Sequence, residues 1–143
     1  MIRPLASGDQ PVLITLLAEA GLPVEDVYEA DWLLLSGYFE ENRLIAAGGL
    51  ERCGDSLLLR SVVTVADRRG QGLSSDLLKE LHVKARKSGY DRVWLLTETA
   101  TEFFQLHHGY ELQPRSAAPE TIRDSMEFST LCSSTANLMV RYI

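Results

Sequence analysis

Apolar and polar positions change period several times along this chain, and each change marks a predicted element. Residues 1–5 read as a short edge strand closed by Pro4. Over 10–20, Leu13, Leu16, Leu17 and Ala20 fall on one helical face. Ser7 or Asp9 can cap that helix, Pro11 suits its first turn and Gly21 stops it. Residues 24–31 show no period and read as a loop or a short helix. Three strand-like runs follow at 33–39, 43–51 and 56–65. The turn residues Glu40-Glu41-Asn42 and Cys53-Gly54-Asp55 separate them, which predicts an antiparallel meander. The third run is apolar on both faces at Leu57, Leu58, Leu59, Val62 and Val63, so it belongs at the centre of the sheet.

A helical period returns with Leu73, Leu77, Leu81 and Ala85, widened by Leu78, over 73–87, and ends at Ser88-Gly89. A short buried strand at 93–97 comes next. A helix over 100–108 then carries Phe103, Phe104 and Leu106 and stops at Gly109. Strands at 110–113 and 137–143 bracket a short helix and loop over 119–131. The strand, helix and strand over 57–97 form a crossover, so those two strands are predicted parallel. The fold class is mixed α/β, with a mixed sheet of about six to seven strands flanked by helices. An exposed final strand over 138–143 could pair between two copies as a homodimer.

Composition narrows the function. With 143 residues and no repeat or linker, residues 1–143 read as a single domain with one core. A net charge of −6 argues against nucleic acid as the main partner, because phosphate backbones need clustered basic residues. No run of about 18 apolar residues is present, so no membrane span is expected. Arg3 and Pro4 are followed by no long apolar region, so no signal peptide is expected either. Cys53 and Cys132 lack the spacing of a zinc or redox motif. They read as plain thiols in a reducing cytoplasm, and no metal is expected.

The strongest chemical signal is Arg69-Gly70-Gln71-Gly72-Leu73-Ser74, where a strand turns through glycines into a helix. A helix start offers unpaired N–H groups and a partial positive charge, and glycine lets an anion approach the backbone. A pyrophosphate-bearing coenzyme fits such a turn, with Arg68 and Arg69 as local cations.

This hexad resembles the Gln/Arg-x-x-Gly-x-Gly/Ala hallmark of the GCN5-related N-acetyltransferases (GNAT), with Ser74 in place of the last small residue. Element order and the segment Phe103-Phe104-Gln105-Leu106-His107-His108-Gly109-Tyr110 extend the likeness over nearly the whole chain. Leu58-Leu59-Arg60-Ser61-Val62-Val63 and the tail Ile122-Arg123-Asp124-Ser125-Met126-Glu127-Phe128-Ser129-Thr130-Leu131-Cys132 are similar to the small arsenic-resistance N-acetyltransferases. The resemblance implies a GNAT-like acyl-CoA N-acyltransferase fold and acetyl-CoA as cosubstrate. Backbone groups of Val62, Val63 and Thr64 would pair with the pantetheine arm. The turn from Arg69 through Gly70, Gln71, Gly72, Leu73, Ser74 and Ser75 would hold the pyrophosphate. The sheet would splay after the central strand to form the cleft. The acceptor would be a small-molecule amine, such as an amino acid or an amino-acid-like toxic compound, attacking directly in a ternary complex.

Acetyl transfer needs a neutral amine, a stabilised oxyanion and a proton for the thiolate. A backbone N–H near Val63 or Thr64 could polarise the carbonyl. Glu51 is a candidate base, or else an exposed strand-end carboxylate. The tyrosine that many family members use as general acid aligns with Phe104 or Gln105, and neither is a tyrosine. Tyr110, His107, His108 or solvent could substitute, although Tyr110 also reads as core and the histidines as partners of a helix dipole. Arg60 interrupts an apolar strand and needs an anion. It reads either as a clamp for a substrate carboxylate or as a structural ion pair with Glu51 or another carboxylate. Arg43 and Arg123 read as surface. Two other functions fit the same residues: acetylation of a protein N-terminus or lysine, and a non-catalytic CoA-binding module.

Overall fold

The period changes mark most of the observed elements to within one or two residues. The computed structural model describes residues 1–131 and 134–143. Its strands are β1 (Ile2–Pro4), β2 (Trp32–Glu40), β3 (Arg43–Cys53), β4 (Ser56–Thr64), β5 (Arg92–Thr97), β6 (Glu111–Gln113) and β7 (Asn137–Tyr142). Its helices are α1 (Gln10–Glu19), α2 (Leu73–Lys87), α3 (Thr101–His108) and the short α4 (Glu120–Arg123). One sheet runs in the order β1-β2-β3-β4-β5-β7-β6. β2, β3 and β4 form the antiparallel meander, and β4 and β5 are parallel across the α2 crossover.

β4 sits at the centre because both its faces are apolar. Leu57 and Leu59 join Leu78, Leu81 and Ala85 of α2 and Phe104 of α3. Leu58 faces the other way, toward Trp94, Leu138, Val140 and Ile122 of α4. α1 buries Leu13 and Leu17 against Leu35, Ala47 and Val63. Burial of these side chains, at about 1.5–3 kcal/mol each, ties the helices to the sheet.

One open reading is decided and two expectations change. Residues 24–31 take the loop alternative, as turns that bury Val27 and Asp26. Residues 119–131 hold a second ordered turn, a π-helical one at Glu127–Leu131, where a loop is predicted. The last strand is not an edge. β7 lies between β5 and β6, paired with β5 along its length and with β6 at residues 138–140, so it is an inner strand and not the free edge expected for a dimer. β6 takes the outer place because the chain reverses after α3, before the final strand is laid down. No helix among the described residues is long and apolar enough to cross a membrane.

Candidate active site

The cleft exists because β4 outruns its parallel neighbour. β5 pairs with it only at Leu58↔Trp94 and Leu59↔Leu95. From there to Thr64, β4 is paired on the β3 side alone. An open cleft of about 520 Å³ fills the gap. Its walls are residues 59–64 of β4, residues 95–100 at and beyond the end of β5, Phe103 and Phe104 of α3, and residues 20–23 after α1. A bulge sits in the middle of the β4 wall. Ala47 pairs with Val63 but Gly49 with Arg60, so Ser61 and Val62 together oppose Gly48. Ser61 takes a left-handed φ of 60°, which few non-glycine residues adopt and which concentrates at functional positions.

The glycine turn closes one end of the cleft. Gly70 and Gly72 have φ of 79° and 78°. A Cβ at either would meet no atom within 4 Å, so the space above these amides is open. Arg69, Gly70 and Ser74 line the cleft, and Arg69 Nε donates to the Thr64 carbonyl at 3.2 Å. Arg68 is committed elsewhere: it binds the Glu40 carboxylate, and its Nε donates to Gln71 Oε1 at 2.8 Å. Of the two arginines, only Arg69 faces the cleft. The hydroxyls of Ser74 and Thr64 lie 2.5 Å apart, which ties the start of α2 to the end of β4. A serine in place of a smaller residue therefore gains a bond without filling the turn. Leu73 is buried beneath it, and the Ser75 hydroxyl meets His108 Nε2 at 3.1 Å.

Arg60 lies at the floor of the cleft, and its side chain is wholly buried. Its Nη1 and Nη2 donate to both oxygens of Asp26, at 2.7 and 2.6 Å. Nη1 also donates to Glu51 Oε1 at 3.0 Å. Glu127 Oε1 stands 3.5 Å from Arg60 Nε, and the Trp32 ring lies under the guanidinium. With two carboxylates bonded and a third alongside, Arg60 has no surplus charge for a substrate carboxylate. The ion-pair reading holds and the clamp reading is corrected. Glu51 reaches the cluster but is held on Arg60 and does not line the cleft. Glu127 does line it. Burial is the main cause that pushes its carboxyl up to about 7; Arg60 pulls it back, and Glu51 and Asp26 push it further.

The expected acids are placed differently. Tyr110 is 1% exposed and packs edge-on against Phe104. Arg141 Nη1 donates to His82 Nδ1 at 3.1 Å, so the neutral ring carries its hydrogen on Nε2, which lies 2.7 Å from the Tyr110 hydroxyl. Burial raises the phenol and, with Arg141, lowers His82 to about 3. Tyr110 is therefore a core residue, a correction to its role as general acid. Phe104 faces the cleft with no proton to give, Gln105 and His107 are exposed, and His108 is turned onto Ser75. Arg43 and Arg123 are at the surface. Cys53 is buried, with its thiol pushed up to about 12 by burial. Cys132 lies outside the described residues. Among those described, no group of three or more His, Cys, Asp or Glu could hold a metal ion.

Asp26, Ser61 and Glu127 were not legible as site residues. A lone arginine in an apolar strand signals that carboxylates must meet it, but the chain has 20 acidic residues, and only the fold selects among them.

The sequence profile described as the acetyltransferase (GNAT) family matches residues 14–110. No curated protein matches the chain. Among solved structures, the chain is similar to N-acetylglutamate synthase from Neisseria gonorrhoeae, solved with coenzyme A and N-acetyl-glutamate. The TM-score is 0.82 at 22% identity, over 99% of this chain and 34% of that one. This chain thus spans about a third of the synthase's length. It is also similar to a Mycobacterium tuberculosis protein solved with CoA, with TM-score 0.80 and 19% identity over 100% of this chain and 99% of that one. A GNAT-family acetyltransferase from Staphylococcus aureus gives TM-score 0.79 at 14% identity, over 99% and 98%.

Proposed function

The chain belongs to the acetyltransferase (GNAT) family, and from that premise we propose that it moves the acetyl group of acetyl-CoA onto the amine of a small molecule. The observation that carries this reading is the unpaired edge of β4 ending at an open glycine turn. An extended amide chain such as pantetheine adds to a free strand edge, here along Val62, Val63 and Thr64. A pyrophosphate then meets the amides of the turn from Gly70 to Ser75, with Arg69 as the nearby cation. An N–H at Val63 or Thr64 would polarise the thioester carbonyl. Most of the rate comes from holding amine and thioester together in the cleft.

The acceptor class follows less directly. The synthase solved with N-acetyl-glutamate and an aminoglycoside 6′-N-acetyltransferase solved with coenzyme A share this fold. Amino acids, amino sugars and the amino-acid-like toxic compounds suggested by the arsenic-resistance likeness are therefore the acceptors to try. Because Arg60 is neutralised, an amino acid would need another partner for its carboxylate.

Release of free thiol from acetyl-CoA, measured against L-glutamate, glycinamide, spermidine, an aminoglycoside and a short peptide, tests the reading. Turnover with none of them defeats it. Gly72→Leu sharpens the test of the turn. A Cβ there meets no protein atom within 4 Å, but the left-handed φ of 78° strains any side chain and the added bulk enters the anion's space, so CoA binding by calorimetry should weaken at least about tenfold, the equivalent of one lost hydrogen bond to a charged oxygen. Unchanged CoA affinity would move the phosphate site elsewhere.

A further inference from the structure

Three carboxylates from three separate parts of the chain converge on one guanidinium. Asp26 comes from the turns before β2, Glu51 from β3 and Glu127 from the π turn after α4. A purely structural ion pair would balance its charges, and this one carries excess negative charge. It is also unfinished on the side of the cleft. Arg60 Nε, Ser61 Oγ and Glu127 Oε2 are buried with no hydrogen-bond partner, and all three residues line the cleft. A buried polar atom without a partner costs about 1–3 kcal/mol, so such atoms gathered at one place call for a ligand. Glu127 Oε2 lacks a donor and Ser61 Oγ can accept or donate, and the surplus carboxylate charge favours a cation as that donor.

The π turn sets Glu127 there. Ser125 Oγ donates to the Ile122 carbonyl at 2.6 Å and accepts the Phe128 N–H at 3.2 Å. The Ser129 N–H donates to the Ser125 carbonyl at 2.9 Å. Phe128 packs into the cluster around Leu58 and Trp94, and Glu127 is left 5% exposed beside Arg60.

We propose that Glu127 receives the ammonium group of the acceptor and takes its proton, directly or through one water. The proposal rests on the acetyl-transfer reading above. In the step, a proton passes from R–NH3⁺ to the Glu127 carboxylate, giving R–NH2 and a neutral carboxyl. The amine nitrogen then bonds to the thioester carbonyl carbon and the C–S bond breaks. The proton lost by the new amide nitrogen balances the one gained by the CoA thiolate, and Glu127 later returns its own proton to solvent. The facing groups are Arg60 of β4, Glu51 and Cys53 of β3, and Asp26. Among them, burial and the two carboxylates outweigh Arg60 and bring Glu127 to about 7, close to where a general base works best. The same surplus charge repels an acceptor carboxylate, so the amine end of the acceptor must enter without one beside it.

The test is the pH profile of kcat/KM for glycinamide at saturating acetyl-CoA, in the wild type and in Glu127→Gln. The wild type should rise on a limb between pH 6 and 8 as Glu127 ionises, then fall once the acceptor loses its own proton. Glu127→Gln should lose at least about 100-fold at pH 7, lack the neutral limb and climb only toward the acceptor's pKa. Its CoA affinity by calorimetry should stay within about twofold of the wild type. A variant within threefold of the wild type, or one that keeps the limb, overturns the role of Glu127 and leaves acetyl transfer intact. No thiol release by the wild type from any amine defeats acetyl transfer instead. Carboxyl ¹³C resonances then decide for Glu127 without turnover: absence of a glutamate signal that titrates between pH 6 and 8 and disappears in Glu127→Gln overturns it. If the variant does not fold, a wild-type profile or titration lacking that limb does the same.

Discussion

Two hydrogen-bonded sets of polar side chains in this molecule are built on different rules. The His82–Tyr110–Arg141 set lies in the core between α2, the end of α3 and β7. Each of its hydrogen bonds has a partner within the set, one ring is kept neutral and none of its three residues lines the cleft. The Arg60–Asp26–Glu51–Glu127 set lies under the cleft, carries more negative than positive charge and leaves two of its polar atoms unpartnered. A network whose hydrogen bonds are completed adds rigidity. An overcharged, unfinished one holds a cost that a bound cation, or a proton on Glu127, relieves. Burial is common to both, so burial alone does not mark a functional group here. Unpartnered polar atoms and an excess of carboxylates do.

The largest expected effect tests whether the cleft set is also structural. Arg60→Met removes the only positive charge among three buried carboxylates and should cost about 3–5 kcal/mol of unfolding free energy in urea at pH 7. Part of that loss should return toward pH 5, as Glu127 takes up a proton and the repulsion eases. A loss under 1 kcal/mol would mean the carboxylates do not depend on Arg60, and the comparison would fail.

Tyr110→Phe probes the core set. It leaves His82 Nε2 unpaired and should cost about 1–3 kcal/mol, while kcat/KM for acetyl transfer stays within about twofold. A collapse in activity with little change in stability would return Tyr110 to the chemistry.

The smallest effect compares the two sets by pH. His82 is held at about 3 when folded and has an ordinary value of 6.5. From pH 6.5 down toward 3 the unfolded chain binds a proton that the folded one refuses, so stability falls as pH falls. Glu127 is raised from 4.5 to about 7, so the folded chain holds a proton the unfolded one lacks, and stability rises as pH falls from 7 to 4.5. The two oppose each other between pH 6.5 and 4.5. Glu127→Gln removes one side, and its stability should fall more steeply there than the wild type's, by at most about 1.4 kcal/mol per pH unit. Equal slopes in denaturant titrations would show that Glu127 holds no extra proton in the folded state.

The hydrophobic period along the chain is a local property, and it carried the elements, the meander, the central strand and the βαβ crossover, since each follows from which residues must leave water. The glycine turn was legible for the same reason: positive φ and a helix start are written in neighbouring residues. Arg60 announced that it needed an anion, because a guanidinium cannot be buried alone. Three things were settled only by packing at long range. Asp26, Glu51 and Glu127 lie 34 and 9 residues before and 67 residues after Arg60 in sequence, and no local pattern ranks them above the other acidic side chains. Whether Tyr110 faced the cleft or the core depended on α2 bringing His82 beneath it. The place of β7 inside the sheet depended on where β6 docked. Local chemistry states what each residue requires, and the tertiary fold chooses which distant residue supplies it.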